Sequence, residues 1–163
     1  MAAAALRRDT RHWRLALVAW LTVGVAACGS GSSGGTTPPP PAPADISGAW
    51  NLTFTNMAGG GLSCNTSAIA ITIVQSSATF TGSGETPWTL SCVSGGTTQS
   101  STDTAATITN GTINGNTVRF SLATSASNQT GTLTGNTIAG TASWTVNVGT
   151  GVVTLGGQFS MTR

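Results

Sequence analysis

The octapeptides Gly111-Thr-Ile-Asn-Gly-Asn-Thr-Val118 and Gly131-Thr-Leu-Thr-Gly-Asn-Thr-Ile138 are near copies of one another. In each, a Gly-Asn pair (Gly115-Asn116, Gly135-Asn136) separates the end of one apolar/polar alternation from the start of the next. Both residue types tolerate positive φ, so the natural solution is a tight primed hairpin turn. Two copies also invite a β-solenoid, but a solenoid needs a third repeat to bury a continuous core and none is found. Consecutive hairpins predict an antiparallel meander.

The same period of two extends outward from these hairpins. Ile46, Gly48, Trp50, Leu52 and Phe54 share one parity, against Ser47, Asn51, Thr53 and Thr55 on the other. Ile69, Ile71 and Ile73 repeat the pattern, as do Trp88, Leu90 and Cys92; Val118, Phe120 and Leu122; and Ile138, Ala142, Trp144 and Val146. Alternation of this kind marks sheets with one buried and one wet face. Turn signals recur every 8 to 12 residues or so, and helix signals are almost absent, which is the punctuation of a barrel or sandwich. The expected fold is all-β, an antiparallel up-and-down β-barrel of about eight to ten strands, with a β-sandwich as the alternative.

Upstream of the strands lies a different kind of sequence. Arg7, Arg8, Arg11 and Arg14 precede the apolar run Leu15–Ala27, which falls short of the roughly 20 residues that a spanning helix needs. A basic head, a short apolar body and small residues before the cut predict a secretory signal over 1–27. Val25-Ala26-Ala27-Cys28 resembles the bacterial lipobox, whose cysteine is acylated and becomes the mature N-terminus. That resemblance implies lipid attachment at Cys28 and a chain anchored to the membrane of a bacterial cell envelope. Two or more acyl chains hold a protein there stably. Gly29 and Ser30 follow, with no aspartate to suggest inner-membrane retention, so the analogy points to the outer membrane.

From Cys28 to Ala44 the chain is Gly/Ser-rich and then proline-rich (Pro38-Pro39-Pro40-Pro41-Ala42-Pro43). It has no large apolar residue to offset ordering entropy and predicts a tether, flexible at first and stiffer towards its end. The domain is then 45–163, about 120 residues, which suits one compact unit. The net charge of +2 misleads, because four of the six basic residues precede Cys28. In the domain Arg119 and Arg163 stand against Asp45, Glu85 and Asp103, near −1, and neither lysine nor histidine follows Arg14. Phosphate binding needs clustered Lys or Arg, so nucleic acid is not an expected partner.

A family resemblance enters at Gly48-Ala49-Trp50, which is similar to the Gly-X-Trp motif of lipocalins and the wider calycin barrels. The last segment, Gly157-Gln-Phe-Ser-Met-Thr-Arg163, ends in an arginine on the parity of Phe159 and Met161. In calycins a basic residue of the last strand lies across the first-strand tryptophan and closes one barrel end. The resemblance therefore implies a barrel-closing pair of Trp50 and Arg163, a cation over an indole face. Thr79-Phe80-Thr81-Gly82 resembles avidins, which share the barrel. The chain lacks the second and third lipocalin motifs and has no tyrosine.

Cys64 and Cys92 are the remaining thiols of an exported domain, and a disulfide between them is the default. Closing that loop of about 29 residues contributes roughly 3 to 4 kcal/mol in the chain-entropy model. With no histidine, lysine or tyrosine in the domain and three scattered carboxylates, the residues predict no catalytic site, no metal and no cofactor. Serines without a base stay inert. Two functions fit what is left. A barrel interior could hold a small apolar ligand, with Trp88, Phe120 and Trp144 as lining and Gly48, Ala78, Gly82, Gly140 and Ala142 leaving room beside them. Alternatively, a filled barrel presents its uncharged Thr/Ser/Asn face to the cell envelope as an interaction module, for example to a glycan.

Overall fold

Inward apolar and outward hydroxyl side chains alternate through most of the eleven strand segments in the computed structural model, which describes residues 42–123, 125–147 and 151–163. In chain order they are β1 (Gly48–Gly59), β2 (Leu62–Thr66), β3 (Ile69–Ser76), β4 (Thr79–Gly84), β5 (Trp88–Ser94) and β6 (Thr97–Asp103). There follow β7 (Ala106–Asn114), β8 (Thr117–Leu122), β9 (Ala126–Thr134), β10 (Thr137–Asn147) and β11 (Val152–Thr162). The predicted leader, Cys28 and most of the tether lie outside the described residues.

All pairings are antiparallel, and most join neighbours in the chain. Two-residue hairpins bring Gly59 opposite Leu62, Ser76 opposite Thr79, Ser94 opposite Thr97, Asn114 opposite Thr117 and Thr134 opposite Thr137. At the two Gly-Asn turns the glycine alone carries the positive φ, 56° at both Gly115 and Gly135. The eleven segments reduce to eight long strands, because β2/β3, β4/β5 and β6/β7 are each one strand interrupted once. The registers show it: Ser63 opposite Ala58 and Ile71 opposite Trp50 belong to one ladder along β1.

Closure comes from β11, which pairs β10 on one side and β1 on the other, so that Phe159 lies opposite both Gly140 and Phe54. A sandwich has no such pairing, and the structure is the up-and-down barrel. The ring is β1, β3, β4, β7, β8, β9, β10 and β11, while β2, β5 and β6 extend beyond it as a flap. The described residues from 42 onward belong to one compact unit with its own core.

Two bulges adjust which side chains face inward. The ladder shifts between Thr55 and Ala58 in β1 and between Thr109 and Thr112 in β7, with Asn56 at φ 53° and Asn110 at φ 52°. Asparagine tolerates this region, and the extra residue moves the buried set from even to odd numbers. Met57, Gly111 and Ile113 thereby join the core beside Phe54 and Ile108.

Candidate binding site at the barrel mouth

The two ends of the barrel are built differently. One end gathers the start of β1, the turns at 77–78, 115–116 and 135–136, and the end of β11. Here Ile46 is fully buried, and the residues around it form a lid. The Trp50 indole N–H donates to Ile46 O (2.8 Å), and Gln75 accepts from Ile46 N (2.8 Å) while donating to Ala44 O (3.0 Å). The Arg163 guanidinium lies 4.8 Å from the Trp50 ring centre and donates to Ser47 O and Asp45 O. This end is closed. Gly48 takes φ 113°, a region closed to residues with a Cβ, which gives the glycine of the Gly-X-Trp motif a physical reason.

The interior is occupied by rings. Phe80, Phe120, Phe159, Phe54, Trp144 and Trp88 form a chain from the closed end to the other, with successive centroids 6.3, 5.2, 6.4, 4.5 and 6.5 Å apart. Tilted and edge-on contacts at these spacings are the favoured aromatic geometry. Ala78, Gly82 and Gly140 do not leave the space expected of them. Ala78 is exposed in the 77–78 turn. A Cβ on Gly82 would meet Ile71 Cγ2 at 2.9 Å, and one on Gly140 would strike the backbone of Thr130 and Gly131. These glycines admit neighbouring strands and side chains rather than a guest. Phe120 is packed between Phe80 and Phe159, inside the core and away from any opening.

β9 contributes two buried polar side chains that the alternation of apolar residues could not flag. Ser127 accepts from Leu122 N (2.8 Å). Gln129, with its amide oriented by the network, donates to Phe120 O (2.8 Å) and accepts the Trp144 indole N–H (3.2 Å). Among the described residues no buried side-chain nitrogen or oxygen lacks a partner, so these groups hold Trp144 in place instead of awaiting a ligand.

The opposite end is the mouth, where the flap stands over the rim. Cys64 on β2 and Cys92 on β5 sit directly opposite and are joined by the expected disulfide. β5 turns Trp88, Leu90 and Cys92 towards the mouth. The result is two adjoining recesses that share Leu90, Ser101 and Val146. One, about 340 Å³, is bounded by Trp88, Trp144 and Leu122; the other, about 250 Å³, by Leu62, the disulfide and Leu155. Gln99, Ser101 and Asp103 of β6 supply a polar flank. Trp88 and Trp144 thus meet at the mouth.

β6 was not visible in the sequence: Thr97-Thr-Gln-Ser-Ser-Thr-Asp103 has no apolar residue and therefore no period. Asp103 ends this strand and caps the next turn by accepting from Thr104 N (2.7 Å) and Ala105 N (3.3 Å). Glu85 is exposed at the break between β4 and β5. Among the described residues no three His, Cys, Asp or Glu side chains come together in a way that could hold a metal ion.

Fold and ends together define a class: an eight-stranded antiparallel barrel, consistent with a calycin-like fold, stoppered at one end and flapped at the other. Against known proteins the chain has no match among family models, curated proteins or solved structures.

Proposed function

We propose that this chain is an exported, non-catalytic bacterial lipoprotein that takes one small apolar molecule at the barrel mouth. The carrying observation is the pair of adjoining recesses under the flap, walled by Trp88, Leu90, Trp144, Val146 and Leu155. Together they are of the size that encloses a small ligand, mostly apolar with a few polar groups at one side. Lipid attachment at Cys28 would anchor the chain in the cell envelope, with the outer membrane as the destination.

A second reading has one observation in its favour. The six-ring chain fills the barrel, which suits an envelope interaction module that presents its uncharged hydroxyl face to a glycan. The two readings separate in one experiment. Residues 42–163 are purified, extracted with organic solvent, and the extract is analysed by mass spectrometry beside that of the Val146→Asp variant. A defined lipophile recovered from the parent and lost from the variant supports mouth binding. Equal, empty extracts, with no quenching of tryptophan fluorescence by added fatty acid, leave the interaction module.

A further inference from the structure

Among the described residues every strand segment but one has a hydrogen-bonded neighbour on both sides. Among the described residues β6 alone pairs on one side only, with β5. Its register against β5 runs unbroken from Ser94–Thr97 to Trp88–Asp103. A two-residue hairpin makes Ser94 and Thr97 a hydrogen-bonded pair, so Thr97, Gln99, Ser101 and Asp103 spend their backbone groups on β5. The N–H and C=O of Thr98, Ser100 and Thr102 then point to the open edge. Exposed edges are normally blunted by lysine, proline, a bulge or a covering element. Among the described residues β6 has no lysine, proline, bulge or covering element; its one charge, Asp103, stands at its end, and its residues are exposed from Thr97 to Thr102.

We propose that this edge is a self-association surface, at which β6 of one copy pairs antiparallel with β6 of a second copy about a two-fold axis through Ser100. The composition favours this occupant because the strand is complementary to itself in that register. Ser100 faces the partner's Ser100, and Thr98 faces the partner's Thr102. Each of these pairs exchanges two backbone hydrogen bonds. The lone charge is placed well: Asp103 lies opposite the partner's Thr97, with the two carboxylates at opposite ends of the ladder. A two-fold axis through one patch is the self-complementary symmetry that most homodimers use. The contact is a strand edge without an apolar centre, which belongs to the weak, small-interface class.

The test uses residues 42–163, the self-contained barrel. Sedimentation equilibrium across micromolar to millimolar concentration should show the mass rising towards twice the monomer. Ser100→Pro removes an outward N–H without touching a backbone bond to β5, at the loss of only the exposed hydroxyl contact from Ser100 to Ser91 (3.3 Å), and Ser100→Lys sets two ammonium groups face to face. Both should return the protein to monomer with an unchanged melting temperature. The register is read separately by cross-linking under mild oxidant. Opposed residues of a hydrogen-bonded pair lie about 5.5 Å apart at Cα, within disulfide reach. The Ser100→Cys variant should therefore form a covalent dimer linked at that position, mapped by peptide mass, and the Thr97→Cys variant should not. A monomer at every concentration overturns the proposal. So does a dimer that survives both Ser100 substitutions, or one that cross-links equally well at Thr97.

Discussion

Arg163 and Trp50 lock the end of β11 onto the start of β1: the guanidinium carbon sits 4.8 Å from the ring centre, and both terminal nitrogens donate to the lid backbone. The Arg163→Ala variant loses the ring contact and both backbone bonds at an exposed site. The expected cost is about 1 kcal/mol. It should appear as a lower urea midpoint with unchanged slope and as faster amide exchange at Ile46, Ser47 and Gly48. Arg163→Lys should recover part of the loss.

The same lid carries a pH dependence. Asp45 accepts from Ser47 N (2.9 Å), and this bond above all, then the Ser47 hydroxyl and more weakly Arg163, outweighs desolvation and holds the carboxyl below its ordinary value of 3.8. A carboxyl with a folded pKa below its unfolded one adds stability that is present above the unfolded value. That stability is lost as pH falls through the folded value. The lid should therefore loosen below about pH 4. Amide exchange at Ser47, measured on the acid side of that point, should accelerate more in the parent than in Asp45→Asn, which has nothing to protonate.

Two glycines of neighbouring strands should respond in opposite directions. A Cβ on Gly140 would run into the Thr130 and Gly131 backbone, so Gly140→Ala must push β9 and β10 apart, at a cost of about 2 kcal/mol. Gly156 has open space around its Cβ position and no positive φ. Gly156→Ala should be neutral or stabilise by up to about 1 kcal/mol through the unfolded chain. Thermal melts of the two variants, run side by side, check both signs.

The Cys64–Cys92 bridge ties β2 to β5 at the root of the flap. Replacing both cysteines by serine should lower stability by about 3 kcal/mol. Loss of the tie should show first in the flap. Backbone exchange in β5 and β6 should rise before that of β8 to β11, and an exchange profile raised uniformly along the chain would contradict this order. Any ligand held at the mouth should weaken in parallel, because the bridge forms part of the wall.

Much of this barrel was legible from neighbouring residues alone. A period of two is a local property, so β1, β3, β8 and β10 could be read from Trp50-Leu52-Phe54, Ile69-Ile71-Ile73, Val118-Phe120-Leu122 and Ile138-Ala142-Trp144. The Gly-Asn hairpins were equally local, since positive φ is decided within one residue, and the bridge followed from counting thiols. β6 escaped because a strand exposed on both faces carries no alternation. Ser127 and Gln129 escaped because their burial depends on Leu122, Phe120 and Trp144, which reach them only across strands. The bulges at Asn56 and Asn110 reversed parity in mid-strand, where a fixed period extrapolates to the wrong face.

The turns and the all-β character thus belong to the chain read by itself, because each rests on contacts between residues close in sequence. Closure of β11 onto β1, the filling of the interior by six rings and the opening of a recess at the flapped end do not. Those depend on side chains from distant strands competing for one volume, and only their summed sizes decide whether a barrel is hollow or full.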